Sequence, residues 1–118
     1  MQLNYIANAD VPSSSGRTLP VIDPSDGQPF DEIQRSNAAD IDSAVRAARD
    51  CFEGVWHKVS AADRGRLLFK LSQKIAEHVD ELALIEQRDC GKPVKQARAD
   101  AVALVRYFEF YAGACDKL

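Results

Sequence analysis

Apolar positions change their period near residue 37, and the change divides the chain into two kinds of structure. Before it, Leu3 to Val11 alternates weakly, with Asn8 between short apolar runs. This predicts a hairpin whose turn uses the tolerance of Asn for positive φ. A second extended pair is expected across Thr18 to Ile22 and Phe30 to Ile33, with Pro24-Ser25-Asp26-Gly27 as the turn. Isolated two-stranded ribbons are marginal in water, so these strands need a partner surface. Ser13-Ser14-Ser15-Gly16 is the one low-complexity run, too short to link domains, and no internal repeat is present.

From Asn37 onward the apolar period is helical. Asn37 with Asp40 resembles an N-cap followed by an acidic first turn, and Ile41, Val45, Ala48 and Phe52 then fall on one face until Gly54 ends the helix. Trp56 and Val59 lie in the connection, where a large aromatic serves as a packing anchor. Ser60 with Asp63 opens a second helix with Leu67, Leu68, Leu71 and Ile75 as its stripe. Asp80 and Glu81 mark a fresh start after a break near His78, giving a third helix that carries Leu82, Ile85 and Cys90. A fourth helix is expected from near Ala97 toward Cys115. Ala101, Val105, Phe108 and Ala112 form one face of it, and Leu104, Tyr107 and Tyr111 widen that face enough to imply cover on more than one side.

Between the third and fourth helices stands Asp89-Cys90-Gly91-Lys92-Pro93, a corner. Gly91 can adopt the left-handed conformation that caps a helix, Lys92 suits the negative end of the helix dipole, and Pro93 cannot continue the same helix. Gly91-Lys92 is not a phosphate loop, because the glycine required five residues upstream is Glu86.

Charge and composition narrow the function classes. The 118 residues, 46% hydrophobic and 28% charged, suit one soluble domain with a real core. With 15 Lys and Arg against 18 Asp and Glu, the net charge of −3 gives no reason to expect nucleic acid or a membrane as partner. No run approaches the ~20 apolar residues of a membrane span, and the start lacks a basic region followed by an apolar one, so a cytoplasmic location is expected. Cys51, Cys90 and Cys115 are odd in number and widely spaced, which points to reduced thiols rather than disulfides or zinc. Cys51 and Cys115 sit beside apolar neighbours and are expected to be buried and inert. Cys90 lies at a helix C-terminus, where the dipole opposes a thiolate. His57 and His78 have no second ligand at metal spacing and read as surface or capping residues.

Five blocks together resemble the amino-terminal part of the NAD(P)-dependent aldehyde dehydrogenase superfamily. They are Asp23-Pro24-Ser25-Asp26-Gly27; the run from Asp40 to Arg49; Phe52 with Trp56; Ala62-Asp63-Arg64; and the run from Asp80 through Pro93, followed by Tyr107-Phe108-Glu109-Phe110-Tyr111-Ala112-Gly113. The resemblance implies an α/β fold with a Rossmann-type cofactor domain. Of that fold, residues 1–36 supply N-terminal β strands and residues 37–118 a helical part of the cofactor-binding domain, so this stretch is mostly α.

The implied activity is oxidation of an aldehyde to a carboxylic acid. A cysteine thiolate attacks the carbonyl, hydride passes to NAD or NADP, and a glutamate activates water. The nucleophile, the base and the cofactor-binding glycine turn of the family belong to later segments, so no catalytic or cofactor-binding residue is assigned here and the chain alone is expected to be inactive. Cys90 occupies a position where members commonly carry Thr, Ser or Asn.

The resemblance also implies a monovalent cation near the Ile22 carbonyl and the Asp89 carboxylate; a hard cation wants oxygen ligands. It further implies that Tyr107, Phe110 and Tyr111 border a substrate pocket, and that the full-length protein is a homodimer or homotetramer. The alternative is a free-standing helical interaction module derived from such an enzyme.

Overall fold

Ala7 and Asn8 both adopt left-handed backbone, with φ of 52° and 66°, and this pair of positive angles makes the tight two-residue turn of a hairpin. The computed structural model, which describes residues 1–117, pairs β1 (Asn4–Ile6) with β2 (Ala9–Val11) across that turn, with Ile6 opposite Ala9. Asn8 was expected at the turn; Ala7 was not, since a Cβ opposes positive φ. The Tyr5 hydroxyl donates to Asn8 Oδ1 at 2.6 Å and helps to hold the turn.

β3 (Thr18–Ile22) and β4 (Pro29–Gln34) form the second antiparallel hairpin. Its turn is built on Asp23, whose Oδ1 accepts from the Ser25 N–H and hydroxyl, and on Gly27 at φ 72°. These strands group with α1 (Ala38–Glu53) and a 3-10 turn at Trp56–Lys58 in one unit, Met1–Lys58. α1 begins with a full capping box: Asn37 Oδ1 accepts from the Ala39 and Asp40 N–H groups, and Asp40 accepts from the Asn37 N–H at 2.9 Å. The serine run is ordered against this cap, because Ser13 Oγ donates to Asp40 Oδ2 at 2.6 Å and the Ser14 N–H to Oδ1 at 3.0 Å.

The second unit, from Val59 onward, holds α2 (Ala61–Glu77), α3 (Val79–Cys90) and α4 (Val94–Ala114). α4 packs on both of the others. Ser60 caps α2 by accepting from the Asp63 N–H at 3.1 Å, and the break at His78 falls where expected. α4 starts at Val94, three residues before the expected Ala97. Pro93 (φ −55°, ψ 132°) occupies its N-cap, so the helix begins directly after the proline.

The buried interior of this unit is made of small residues. Ser72 and Ala97 are fully buried, and Gly65, Ala83 and Ala101 nearly so, with Ile75 the largest among them. Leu67 and Leu71, expected in the α2 core stripe, are exposed instead, as is Ile85 of α3. α4 approaches α2 closely at Gly65, where a Cβ would stand 2.6 Å from the Ala112 carbonyl oxygen.

Candidate functional site

At the corner between α3 and α4 one lysine is paired with two carboxylates. Gly91, at φ 70°, ends α3 in left-handed backbone and donates its N–H to the Gln87 carbonyl at 2.8 Å, the C-cap expected of it. Lys92 then folds back. Its Nζ donates to Asp100 Oδ2 on α4 at 2.7 Å and to the Glu86 carboxylate on α3. The Asp100 contact first, and the Glu86 contact second, hold the ammonium well above the ordinary lysine range. Glu86 is half-buried and ion-paired to Lys92. A second tie, Arg98 Nε to Asp80 Oδ1 at 2.7 Å, joins α4 to the start of α3.

Asp89 lies in the last turn of α3 with its side chain exposed. Ile22 ends β3, where the register shifts and sets it opposite Pro29. Ile22 belongs to the first unit and Asp89 to the second. Among the described residues no group of three or more His, Cys, Asp or Glu side chains is placed to hold a metal ion.

Tyr107, Phe110 and Tyr111 all project from the outer side of α4, with 63%, 70% and 56% of their surface exposed. The Phe110 and Tyr111 rings meet edge to face, 5.3 Å between centroids and 86° between planes. Phe108, assigned to the packed face, is half-buried. An open groove of about 420 Å³ runs beside the α2–α3 junction, lined by His78, Asp80, Arg98, Val102 and neighbours; the three aromatics lie outside it.

The thiols depart from expectation. Cys51 is exposed and Cys115 half-buried, where both were expected to be buried. All three are free; Cys90 Sγ donates to the Glu86 carbonyl at 3.0 Å and Cys115 Sγ to the Tyr111 carbonyl at 3.3 Å, both ordinary in-helix contacts. His57 is exposed in the 3-10 turn, and His78 Nδ1 lies 2.8 Å from Glu81 Oε2.

Nothing in this arrangement cradles a phosphate: the one lysine at a glycine turn is already neutralised by two carboxylates. Through Lys92 the corner ties α3 to α4. The model of the Aldehyde dehydrogenase family matches residues 11–118.

This chain belongs to the aldehyde dehydrogenase family.

Among its relatives, the NAD(P)+ aldehyde dehydrogenase 2 of Saccharomyces cerevisiae is 40% identical over 114 residues, which are 96% of this chain and 22% of that protein. The crystal structure of a putative aldehyde dehydrogenase from Burkholderia cenocepacia is 58% identical, with a TM-score of 0.95 over 98% of this chain and 24% of its own. PnpE, solved in complex with nicotinamide adenine dinucleotide, is 36% identical with a TM-score of 0.94. The aldehyde dehydrogenase fold expected from the sequence is therefore the one adopted. The chain spans about a quarter of the length of these relatives, the share expected of an amino-terminal portion. No helix among the described residues is long and apolar enough to cross a membrane.

Proposed function

We propose that this chain is the amino-terminal portion of an NAD(P)-dependent aldehyde dehydrogenase that oxidises an aldehyde to a carboxylic acid. The observation that carries the reading is the family match over residues 11–118, at about a quarter of the relatives' length. The nicotinamide cofactor accepts hydride in such an enzyme. By the family resemblance, the residues that hold it and the cysteine that forms the thiohemiacetal belong to segments outside residues 1–118.

Residues 37–118 are the helical part of the cofactor-binding domain, and residues 1–36 its flanking strands. Their contribution is to shape and enclose. The exposed aromatics Tyr107, Phe110 and Tyr111 border the aldehyde's approach, offering a largely apolar wall with two hydroxyls. For a monovalent cation, the Ile22 carbonyl of the first unit and the Asp89 carboxylate of the second each offer a hard oxygen. The assembled enzyme works in the cytoplasm as a homodimer or homotetramer.

The test compares the 118-residue chain with the longer enzyme, measuring aldehyde-dependent formation of reduced NAD or NADP. The longer enzyme turns over and the 118-residue chain does not. Turnover by the short chain would overturn the reading.

A further inference from the structure

α4 meets its neighbours through small side chains. Ala97 and Ala101 are buried on it, as is Ala83 on α3. Side chains this short interdigitate little, so packing alone fixes the rotation of α4 about its own axis only weakly.

Two ion pairs stand on either side of that seam. At about 100° per residue, Asp100 lies ~60–100° to one side of Ala97 and Ala101, and Arg98 lies ~60–100° to the other. Lys92 holds Asp100 at 2.7 Å, and Asp80 holds Arg98 at 2.7 Å. The two ties are unequal. The Arg98 pair leaves 57% and 79% of its side chains in water, where ion pairs contribute little, whereas Lys92 keeps only 26% exposed and holds Glu86 on α3 as well. The Lys92 tie therefore does more to set the rotation.

That rotation governs what else stands on the Asp100 stripe. Tyr107 and Tyr111, both exposed, return to within about 20° of Asp100, about 10 and 17 Å further along the axis. Phe110 stands about 80° away on the helix but meets the Tyr111 ring edge to face. Turning α4 by about 10° carries a ring about 6 Å from the axis through ~1 Å. A misplacement of that size costs up to about 100-fold in rate.

We propose that Lys92 is a positioning residue for aldehyde selection: by pairing with Asp100 and Glu86 it fixes the rotation of α4 and, with it, the place of the Tyr107 and Tyr111 rings. This rests on the reading above that those rings border the aldehyde's approach. Lys92 acts only through α4, so bulky aldehydes that reach the rings depend on it and small ones do not.

The test uses Lys92→Met in the longer enzyme and reads the ratio of kcat/KM between benzaldehyde and acetaldehyde. The ratio shifts by at least about 5-fold, through the KM for benzaldehyde, while kcat for acetaldehyde stays within about 2-fold. Lys92→Arg, which keeps a cation able to meet both carboxylates, retains the parent ratio. Lys92→Met/Glu86→Gln also removes the half-buried carboxylate left without its partner, and replaces the single variant should that one fail to fold. Ser60→Ala, which removes the cap of α2, lowers the melting temperature without moving the ratio and so separates positioning from lost stability.

In a Tyr107→Ala/Tyr111→Ala background the Lys92→Met shift disappears, because the rings it places are gone. An unchanged ratio in folded Lys92→Met enzyme overturns the positioning, and so does a shift that persists without the two rings or that Ser60→Ala reproduces. If Tyr107→Ala/Tyr111→Ala alone leaves the ratio unmoved, the reading of the rings fails and the positioning with it. If that variant moves the ratio and Lys92→Met does not, the rings stand and only the positioning falls.

Discussion

Replacing Gly65 by alanine will test the close seam between α2 and α4. In an ordinary helix interior this change stabilises by about 0.5–1 kcal/mol, because alanine loses less conformational freedom on folding. At Gly65 a Cβ would stand 2.6 Å from the Ala112 carbonyl oxygen, with the Ala112 carbonyl carbon and Cys115 Cβ each at 3.6 Å. The nearest atom is backbone, so no side-chain rotation relieves the contact and α4 must move away. Forced overpacking of this kind costs roughly 1–3 kcal/mol, and a rigid neighbour puts the cost near the upper end. The net effect is a loss of about 2 kcal/mol.

For a cooperative unit of this size each kcal/mol moves the melting midpoint by roughly 4–8 °C, so Gly65→Ala should lower it by roughly 8–16 °C. Gly113, also in a helix, is the control: a Cβ there meets nothing within 4 Å, and Gly113→Ala should leave stability unchanged or raise it by up to about 1 kcal/mol. Thermal and urea unfolding of both variants, followed by circular dichroism, give the comparison. If Gly65→Ala melts at or above the parent temperature, the seam is not as tight as the small-residue interior implies.

Asn37→Ala removes the acceptor of two N–H groups at the start of α1 and the donor to Ser14 Oγ; urea denaturation should show a loss of about 1–2 kcal/mol. In acid, Asp31 is held down at about 2, first by the Met1 ammonium at 2.6 Å, and Asp40 is depressed by the Ser13 hydroxyl first, then by the Asn37 and Ser14 N–H groups. Both folded-state values lie below the unfolded one. Their stabilisation is therefore present above about pH 4 and is lost as pH falls through the folded values. Asp40→Asn should lower stability at neutral pH and make the loss between about pH 4 and 2 shallower, as read from midpoints across that range. In the longer enzyme, Phe110→Ala and Tyr107→Ala should change the ratio of kcat/KM between bulky and small aldehydes by about 10-fold, while melting shifts stay small because both side chains are exposed here.

The signals legible in the sequence were those carried between residues a few positions apart. Asn37 with Asp40, Ser60 with Asp63, the turn around Asp23 and the left-handed Gly91 are closed by contacts within four residues, so the residue types alone locate them. What was not legible depended on approach from afar. The ion pairs of Lys92 reach six residues back and eight forward across a corner, and the pairing of Ser13 with Asp40 spans 27 residues. A serine-rich run thus read as filler, although it satisfies a buried carboxylate.

The apolar stripes show the same division at larger scale. Periodicity marked Leu67 and Leu71 for a core, and Ile41, Val45 and Phe52 for another, and the helices formed as those patterns require. Yet the residues buried on α2 are Gly65, Ser72 and Ile75, while Leu67 and Leu71 remain exposed. A hydrophobic pattern records that a face is to be buried, not which segment will bury it. Five apolar side chains, Ile41, Val45, Phe52, Leu67 and Leu71, thus stand exposed on correctly formed helices in a chain that matches about a quarter of its relatives' length.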